Sequence, residues 1–256
     1  MKIAVLDVWR YEDLAEFRLV LPVLRARGIE VIDLYVEPSA TSTAQQWIDA
    51  MINRLDDATA QSSDGVNLLG FCAGGRVALS LAERLEQRGT PIKFLGLIET
   101  WQRSPLVELD RALYSRYGIG VKLMVRQQLQ WLTSSPGADW RELARCYRRN
   151  WKSVVSRSSL KRRAQEKDAS PNEWLIMHLT HANAIPIVST PVQLFNTRDS
   201  VREYFGDPSM ALAPYFRGGY SVHYLEGDHH SCTKEPCQSS LVDQIVSTLD
   251  ALTSRS

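Results

Sequence analysis

Six residues, Gly70-Phe71-Cys72-Ala73-Gly74-Gly75, restrict what this chain can fold into more than any other stretch. They follow an apolar run through Val66, Leu68 and Leu69 and lead into a helix-like stretch over residues 76–87. A strand that turns through Gly-x-Cys-x-Gly straight into a helix drives the central side chain into a tight, exposed bend, and small neighbours prevent clashes there. The pattern predicts a nucleophile elbow with sulfur at the position where serine is usual. A buried structural cysteine in a strand-to-helix turn is the plainer alternative. Glycines at both flanking positions, together with the preceding strand, favour the elbow.

The surrounding pattern alternates strand and helix. Residues 3–8 read as a β-branched strand, followed by apolar positions Leu14, Phe17, Leu21 and Leu24 at helical spacing up to Gly28. Residues 29–36 read as a second strand, and residues 43–60 as a Thr-capped helix with Trp47, Ile48, Met51, Ile52 and Leu55 on one side. Residues 66–71 form the strand before the elbow, Gly89-Thr90-Pro91 closes the elbow helix, and residues 92–99 form a fourth strand. Such a succession implies parallel strands joined by right-handed crossovers, with chemistry at their carboxyl ends.

The rhythm breaks over residues 103–187, where long amphipathic stretches (106–132, 139–155 and 172–184) predict a helical lid inserted between strands. It resumes with strands over 191–196 and 220–225 and a closing helix over 241–252. The expectation is one α/β domain over residues 1–256, a mostly parallel central sheet with helices on both faces, and a lid over 103–187.

The 256 residues suffice for a full core, and a formal net charge of +1 gives no general reason to expect nucleic acid or a membrane surface as partner. No leader pattern and no span-length apolar run is present, so a cytoplasmic location is the expectation. Four cysteines fit a reducing compartment, with Cys72 as the reactive candidate and Cys146, Cys232 and Cys237 as incidental thiols.

A thiol nucleophile needs an imidazole to take its proton, and the imidazole needs an acid to orient it. His178 and His181 fall in the predicted lid, and His223 alternates with apolar residues inside a strand pattern. His229 and His230 instead occupy the loop Glu226-Gly227-Asp228-His229-His230-Ser231 after the last strand, where the histidine of an α/β-hydrolase fold belongs. Two carboxylates end strands on the same sheet edge: Glu99, after the elbow helix, and Asp199, before the histidine strand. The pattern of residues leaves the choice between them open. An oxyanion hole would use the backbone N–H of Ala73 and a second N–H from residues 8–10, at Val8 or Trp9.

These residues resemble the thioesterase domains of nonribosomal peptide and polyketide synthases. Leu68-Leu69-Gly70-Phe71-Cys72-Ala73-Gly74-Gly75-Arg76-Val77-Ala78 looks like their elbow, Leu97-Ile98-Glu99-Thr100 like their acid-bearing strand, and Gly227-Asp228-His229-His230-Ser231 like their Gly-x-His loop. The resemblance implies an α/β-hydrolase fold and a triad of Cys72, His229 and Glu99. It implies an acyl chain delivered on the phosphopantetheine arm of an acyl or peptidyl carrier protein, with no other cofactor. In stand-alone editing thioesterases the acid resembles the later position, Asp199. Within the Gly-x-His loop the histidine two after Gly227 fits the pattern, which puts His229 first and leaves His230 as the alternative base. Three departures stand out: cysteine for serine, glutamate for aspartate, and Asp7-Val8-Trp9-Arg10 in place of a glycine-rich first loop.

Sulfur changes the expected chemistry. Moving an acyl group from one thiol to another is close to thermoneutral, so the acyl-enzyme keeps its activation for an amine or an internal hydroxyl. Acyl transfer or cyclising release is therefore expected ahead of hydrolysis. Residues 139–168 carry ten basic against four acidic side chains, a face that fits an acidic carrier protein. Competing readings are a dienelactone-hydrolase-like enzyme with Asp199 as acid, a metal site of His229, His230, Cys232 and Cys237, and a non-catalytic carrier-binding module.

Overall fold

The computed structural model of the chain describes residues 1–6, 18–36, 43–59, 65–102, 185–204 and 206–254. The strands are β1 (Lys2–Leu6), β2 (Glu30–Asp33), β3 (Val66–Phe71), β4 (Ile92–Ile98), β5 (Val192–Thr197) and β6 (Tyr220–Leu225). The helices are α1 (Val20–Ala26), α2 (Ala44–Thr59), α3 (Ala73–Gln87), α4 (Arg198–Glu203) and α5 (Cys237–Thr253). All six strands lie parallel in the order β2-β1-β3-β4-β5-β6.

Side chains of successive strand residues leave opposite faces of a sheet, and both faces of this one are apolar. Ala4, Leu6, Leu68, Leu95, Leu97 and Leu194 join Trp47, Met51 and Leu55 of α2 and Val77, Leu81 and Leu85 of α3 in one core. Ile3, Val5, Leu69, Phe94, Ile98 and Phe195 join Leu24 of α1 and Leu241, Ile245 and Leu249 of α5 in the other. Helices therefore cover both faces, as parallel strands buried on two sides require.

Local signals set the helix ends. Thr43 and Gln46 form a reciprocal capping box at the start of α2: the Thr43 amide donates to Gln46 Oε1 at 2.9 Å, and the Gln46 amide donates to Thr43 Oγ1 at 3.2 Å. The C-terminal end of α3 turns through Gly89 at φ 72°, and Thr90 N–H reaches back to the Leu85 carbonyl at 2.9 Å.

Besides small shifts at other element ends, observed boundaries differ from those expected in four places. The second strand is shorter, the fourth ends at Ile98 so that Glu99 begins the following turn, and the closing helix starts at Cys237 instead of 241. The fourth difference is α4, whose six residues are too few to display a helical period; its cap, Thr197 Oγ1 accepting from Ser200 N–H at 3.2 Å, was the legible signal. The lid expected over 103–187 lies outside the described residues except for 185–187, which are neither helix nor strand. The basic tract, His178, His181 and Cys146 lie outside them entirely.

Candidate active site

The elbow at Cys72 is built by steric exclusion. Cys72 has φ 54° and ψ −120°, a conformation an L-residue adopts only when its surroundings impose it. A Cβ at Gly70 would lie 2.6 Å from Gly75 Cα, one at Gly74 would run into the Leu6 carbonyl oxygen, and one at Gly75 would overlap the Thr100 side chain. The three glycines thus let the start of α3 settle onto β1, β3 and the end of β4. Hydrogen bonds fix the turn: Cys72 N–H donates to the Ile98 carbonyl at 2.9 Å, and the Cys72 carbonyl accepts from Gly75 N–H at 3.1 Å and from Thr100 Oγ1 at 3.3 Å.

Parallel register carries the neighbouring strand ends to the same edge. Phe71 pairs with Ile98, Ile98 with Phe195, and Thr197 with Leu225. Cys72, Glu99, α4 and the histidine loop consequently emerge side by side. Glu99 is fully buried, also at a positive φ of 48°, and its amide donates to the Phe195 carbonyl at 3.0 Å.

Burying a carboxylate is costly unless donors surround it, and three do so here. Thr197 N–H donates to Oε1 at 2.6 Å, while Ser200 Oγ–H and His229 Nδ1 both meet Oε2, the latter at 3.1 Å. An ionised carboxylate only accepts, so Nδ1 carries hydrogen and leaves Nε2 for the Cys72 thiol, with which His229 is in hydrogen-bond contact. Burial alone would push the His229 imidazolium down. The hydrogen bonds and negative charges of Cys72 and Glu99 outweigh it and raise the ring to about 10.

The histidine ring is also held by packing. Phe71 stacks on it at 5.4 Å between centroids, and Trp101 meets it edge-on at 5.2 Å. Its loop is pinned by Asp228, whose Oδ1 accepts from His230 N–H at 3.0 Å, Ser231 N–H at 2.9 Å and Ser231 Oγ at 2.9 Å. Burial opposes ionisation of Asp228, but these bonds prevail and hold its carboxyl below the usual range. Gly227, at φ 81°, leaves room for the Ser231 hydroxyl that a Cβ would meet at 2.6 Å.

The structure therefore brings Cys72, His229 and Glu99 together and separates the alternatives from them. Asp199 lies on α4 with Oδ1 3.1 Å from Arg202 Nη1. The physical reason is orientation: as the first-turn acid of a helix capped by Thr197, it leaves Ser200 to face Glu99. His230 is exposed, stacked against His229 edge-on at 5.1 Å. Ala73 sits at the start of α3 beside the thiol, whereas Val8 and Trp9 lie outside the described residues.

The weighed metal site does not assemble. Cys232 is buried with its thiol 3.7 Å from the His229 carbonyl, and no group of three or more His, Cys, Asp or Glu able to hold a metal occurs among the described residues. His223 is a packing residue in β6, its Nε2 2.9 Å from Gln193 Oε1 and its ring stacked on Phe195 at 4.7 Å. Sequence reasoning missed Thr197, Ser200, Thr100, Trp101 and Asp228. The Thr-x-x-Ser and Asp-x-x-Ser spacings were visible as capping and turn signals, but their contacts with Glu99 and around His229 arise only in three dimensions.

A parallel sheet with helices on both faces, and a cysteine elbow facing a histidine and a buried carboxylate across its carboxyl edge, define an α/β-hydrolase fold. Sequence comparison makes the assignment narrower: the thioesterase-domain family model matches residues 37–252, and the chain belongs to that family. No curated protein matches it by sequence. Among solved structures it is similar to the surfactin thioesterase domain SrfTE (10% identity, TM-score 0.55, covering 97% of this chain and 90% of that one). It is also similar to RedJ thioesterase of Streptomyces coelicolor from prodiginine biosynthesis (15%, 0.51, 95% and 84%) and to the NocB thioesterase domain of the nocardicin cluster (18%, 0.50, 97% and 93%). At these identities the likeness is one of fold.

Proposed function

We propose that this thioesterase releases an acyl, peptidyl or polyketide chain from the phosphopantetheine thioester of a carrier protein through a covalent acyl-Cys72 intermediate. The observation that carries the reading is the contact chain from the Cys72 thiol through His229 to the buried carboxylate of Glu99. His229 takes the thiol proton, and Sγ attacks the thioester carbonyl carbon. Ala73 N–H, an amide at the start of α3, stabilises the oxyanion. The carbon–sulfur bond to pantetheine then breaks, and the departing sulfur takes the proton back from His229. In the second half an amine, hydroxyl or water gives its proton to His229 and attacks the acyl carbon, and Cys72 leaves. Glu99 keeps Nδ1 protonated throughout and stabilises the imidazolium.

Because the intermediate is itself a thioester, we favour transfer to an amine or cyclisation onto an internal hydroxyl over hydrolysis. Structural neighbours are in keeping with this substrate class: the NocB domain comes from the nocardicin cluster, and the SrfTE domain cyclises the lipopeptide antibiotic surfactin. The dienelactone-hydrolase-like reading requires Asp199 as acid, and Asp199 faces Arg202. We propose the basic tract of residues 139–168 as the carrier-docking face; charge reversal at Arg148, Arg149, Arg162 and Arg163 is expected to weaken carrier-bound turnover at low salt.

Intact-protein mass spectrometry after exposure to an acyl-pantetheine surrogate tests the core of the reading. An acyl mass gain is expected on the native protein and none on Cys72→Ala. If the native protein gains no mass, the covalent route is wrong. If it returns only free acid with every acceptor offered, and Cys72→Ser behaves identically, the preference for transfer is wrong.

A further inference from the structure

The Glu99 carboxylate meets one hydroxyl that the triad does not account for. Ser200 Oγ approaches Oε2, the same oxygen that faces His229, and the direction of this hydrogen bond follows from its neighbours. Thr197 Oγ1 accepts the Ser200 amide at 3.2 Å and directs its own proton to Ser200 Oγ at 3.0 Å. Ser200 Oγ has thereby received a proton from Thr197, and its own hydrogen points to Glu99. Two hydroxyls in series deliver one oriented donor to the carboxylate.

We propose that Ser200, oriented by Thr197, is a positioning residue that holds the Glu99 carboxylate aimed at His229. The proposal rests on the reading of Cys72, His229 and Glu99 as a triad. A hydrogen bond donated to a carboxylate oxygen is short and directional. It also restrains rotation of the carboxylate, because Oε1 is held by Thr197 N–H at 2.6 Å while Oε2 is held by Ser200. The end of β5, where a second candidate acid stood in the sequence, thus supplies donors to the acid from β4. Bonds within this segment explain why it is a hydroxyl and not Asp199 that turns inward: the cap at Thr197 fixes the first turn of α4.

Among the described residues, the ionisable groups in contact with Glu99 are few. From the loop after β6 it faces His229, and beyond that ring lies Cys72 of the elbow. α4 carries Asp199 and Arg202, which bridge each other at 3.1 Å, Arg198, which lies over the Tyr224 ring, and Glu203. In the histidine loop Asp228 is directed at Ser231 and the His230 amide. Among the described residues, then, His229 is the group through which a change at Ser200 would be read.

The test is the pH profile of Cys72 alkylation by iodoacetamide in the full chain, compared for native protein, Ser200→Ala and Ser200→Thr. Losing the donor in Ser200→Ala is expected to move the acid limb of the profile up by about one pH unit, a roughly tenfold loss of rate on that limb. The alkaline plateau should change less than about threefold, and Ser200→Thr, which keeps the hydroxyl, should restore the native limb. A profile lowered uniformly at all pH values, or superimposable on the native one, overturns the proposal. Because alkylation needs no thioester, the outcome is separable from failure of the acyl-enzyme reading, which the mass measurement on native protein decides. Thermal melts of each variant identify any that is misfolded. If Ser200→Ala is among them, Ser200→Cys, a weak donor of similar size, is expected to show the same upward limb, and an unmoved limb there overturns the proposal equally.

Discussion

Replacing Glu99 by Gln preserves the size of the side chain and removes one acceptor, and the consequence can be worked through from its three contacts. Oε1 accepts from Thr197 N–H at 2.6 Å, and Oε2 accepts from Ser200 Oγ and from His229 Nδ1 at 3.1 Å. A glutamine has one acceptor oxygen for these two sides. If the oxygen stays on Thr197, the amide NH2 confronts Nδ1, which can satisfy it only by giving up its hydrogen. The proton then moves to Nε2, the nitrogen that must accept from Cys72. If the oxygen turns to His229, the NH2 faces the buried Thr197 N–H and one donor is left without a partner, at about 1–3 kcal/mol.

The charge matters as much as the tautomer. Raising His229 from 6.5 to about 10 corresponds to a preference for the imidazolium of roughly 5 kcal/mol, to which Cys72 and Glu99 both contribute against the cost of burial. Loss of the carboxylate removes a share on the order of 2 kcal/mol. Together with the inverted tautomer, the loss of acylation rate is expected to reach about 10³–10⁴-fold. The assay is the rate of mass gain at Cys72 with an acyl-pantetheine surrogate near pH 7.5, with Asp199→Asn as comparator. Asp199→Asn should change the rate less than about threefold. A loss below tenfold in Glu99→Gln, or a larger loss in Asp199→Asn, would refute the assignment of the acid.

Two further outcomes follow from the same contacts. Gly74→Ala places a Cβ against the backbone oxygen of Leu6, which cannot move without parting β1 from β3, so a destabilisation of about 1–3 kcal/mol or more is expected in urea unfolding. Gly89→Ala meets no atom within 4 Å and bears only the strain of φ 72°, about 1 kcal/mol, so equal losses at the two sites would contradict the packing argument. Because folded His229 holds its proton up to about 10 and the unfolded ring only to 6.5, its contribution to stability is full below pH about 6.5 and declines to nothing as pH rises through about 10. The stability gap between native protein and His229→Gln should therefore narrow between pH 6 and pH 10, and a gap independent of pH would show that the imidazolium is not stabilised by the fold.

Much of the scaffold was legible because it is written in local, repeating chemistry. The apolar runs of β3 and β4, buried on both faces, and the one-sided pattern of Trp47, Met51 and Leu55 in α2 follow from the periods of strand and helix. Gly70, Gly74 and Gly75 announced the elbow because close backbone approach admits no side chain there. The short helix α4 escaped notice, since six residues carry too little periodicity to separate helix from loop.

The sequence by itself determined the order of strands and helices, the thiol at the elbow and the short list of partners for it: His229 or His230, Glu99 or Asp199. Only the tertiary structure shows which of them meet, because that rests on directions that spacing does not encode. The left-handed turn at Glu99 sends its carboxylate under the donors of Thr197 and Ser200. The cap of α4 leaves Asp199 beside Arg202, and the Asp228 turn presents His229 between Phe71 and Trp101 while His230 faces solvent. The turns at Asp199 and Asp228 are local, but the contacts of Glu99 and of the His229 ring join residues far apart in the chain, brought to one edge by the register of parallel strands.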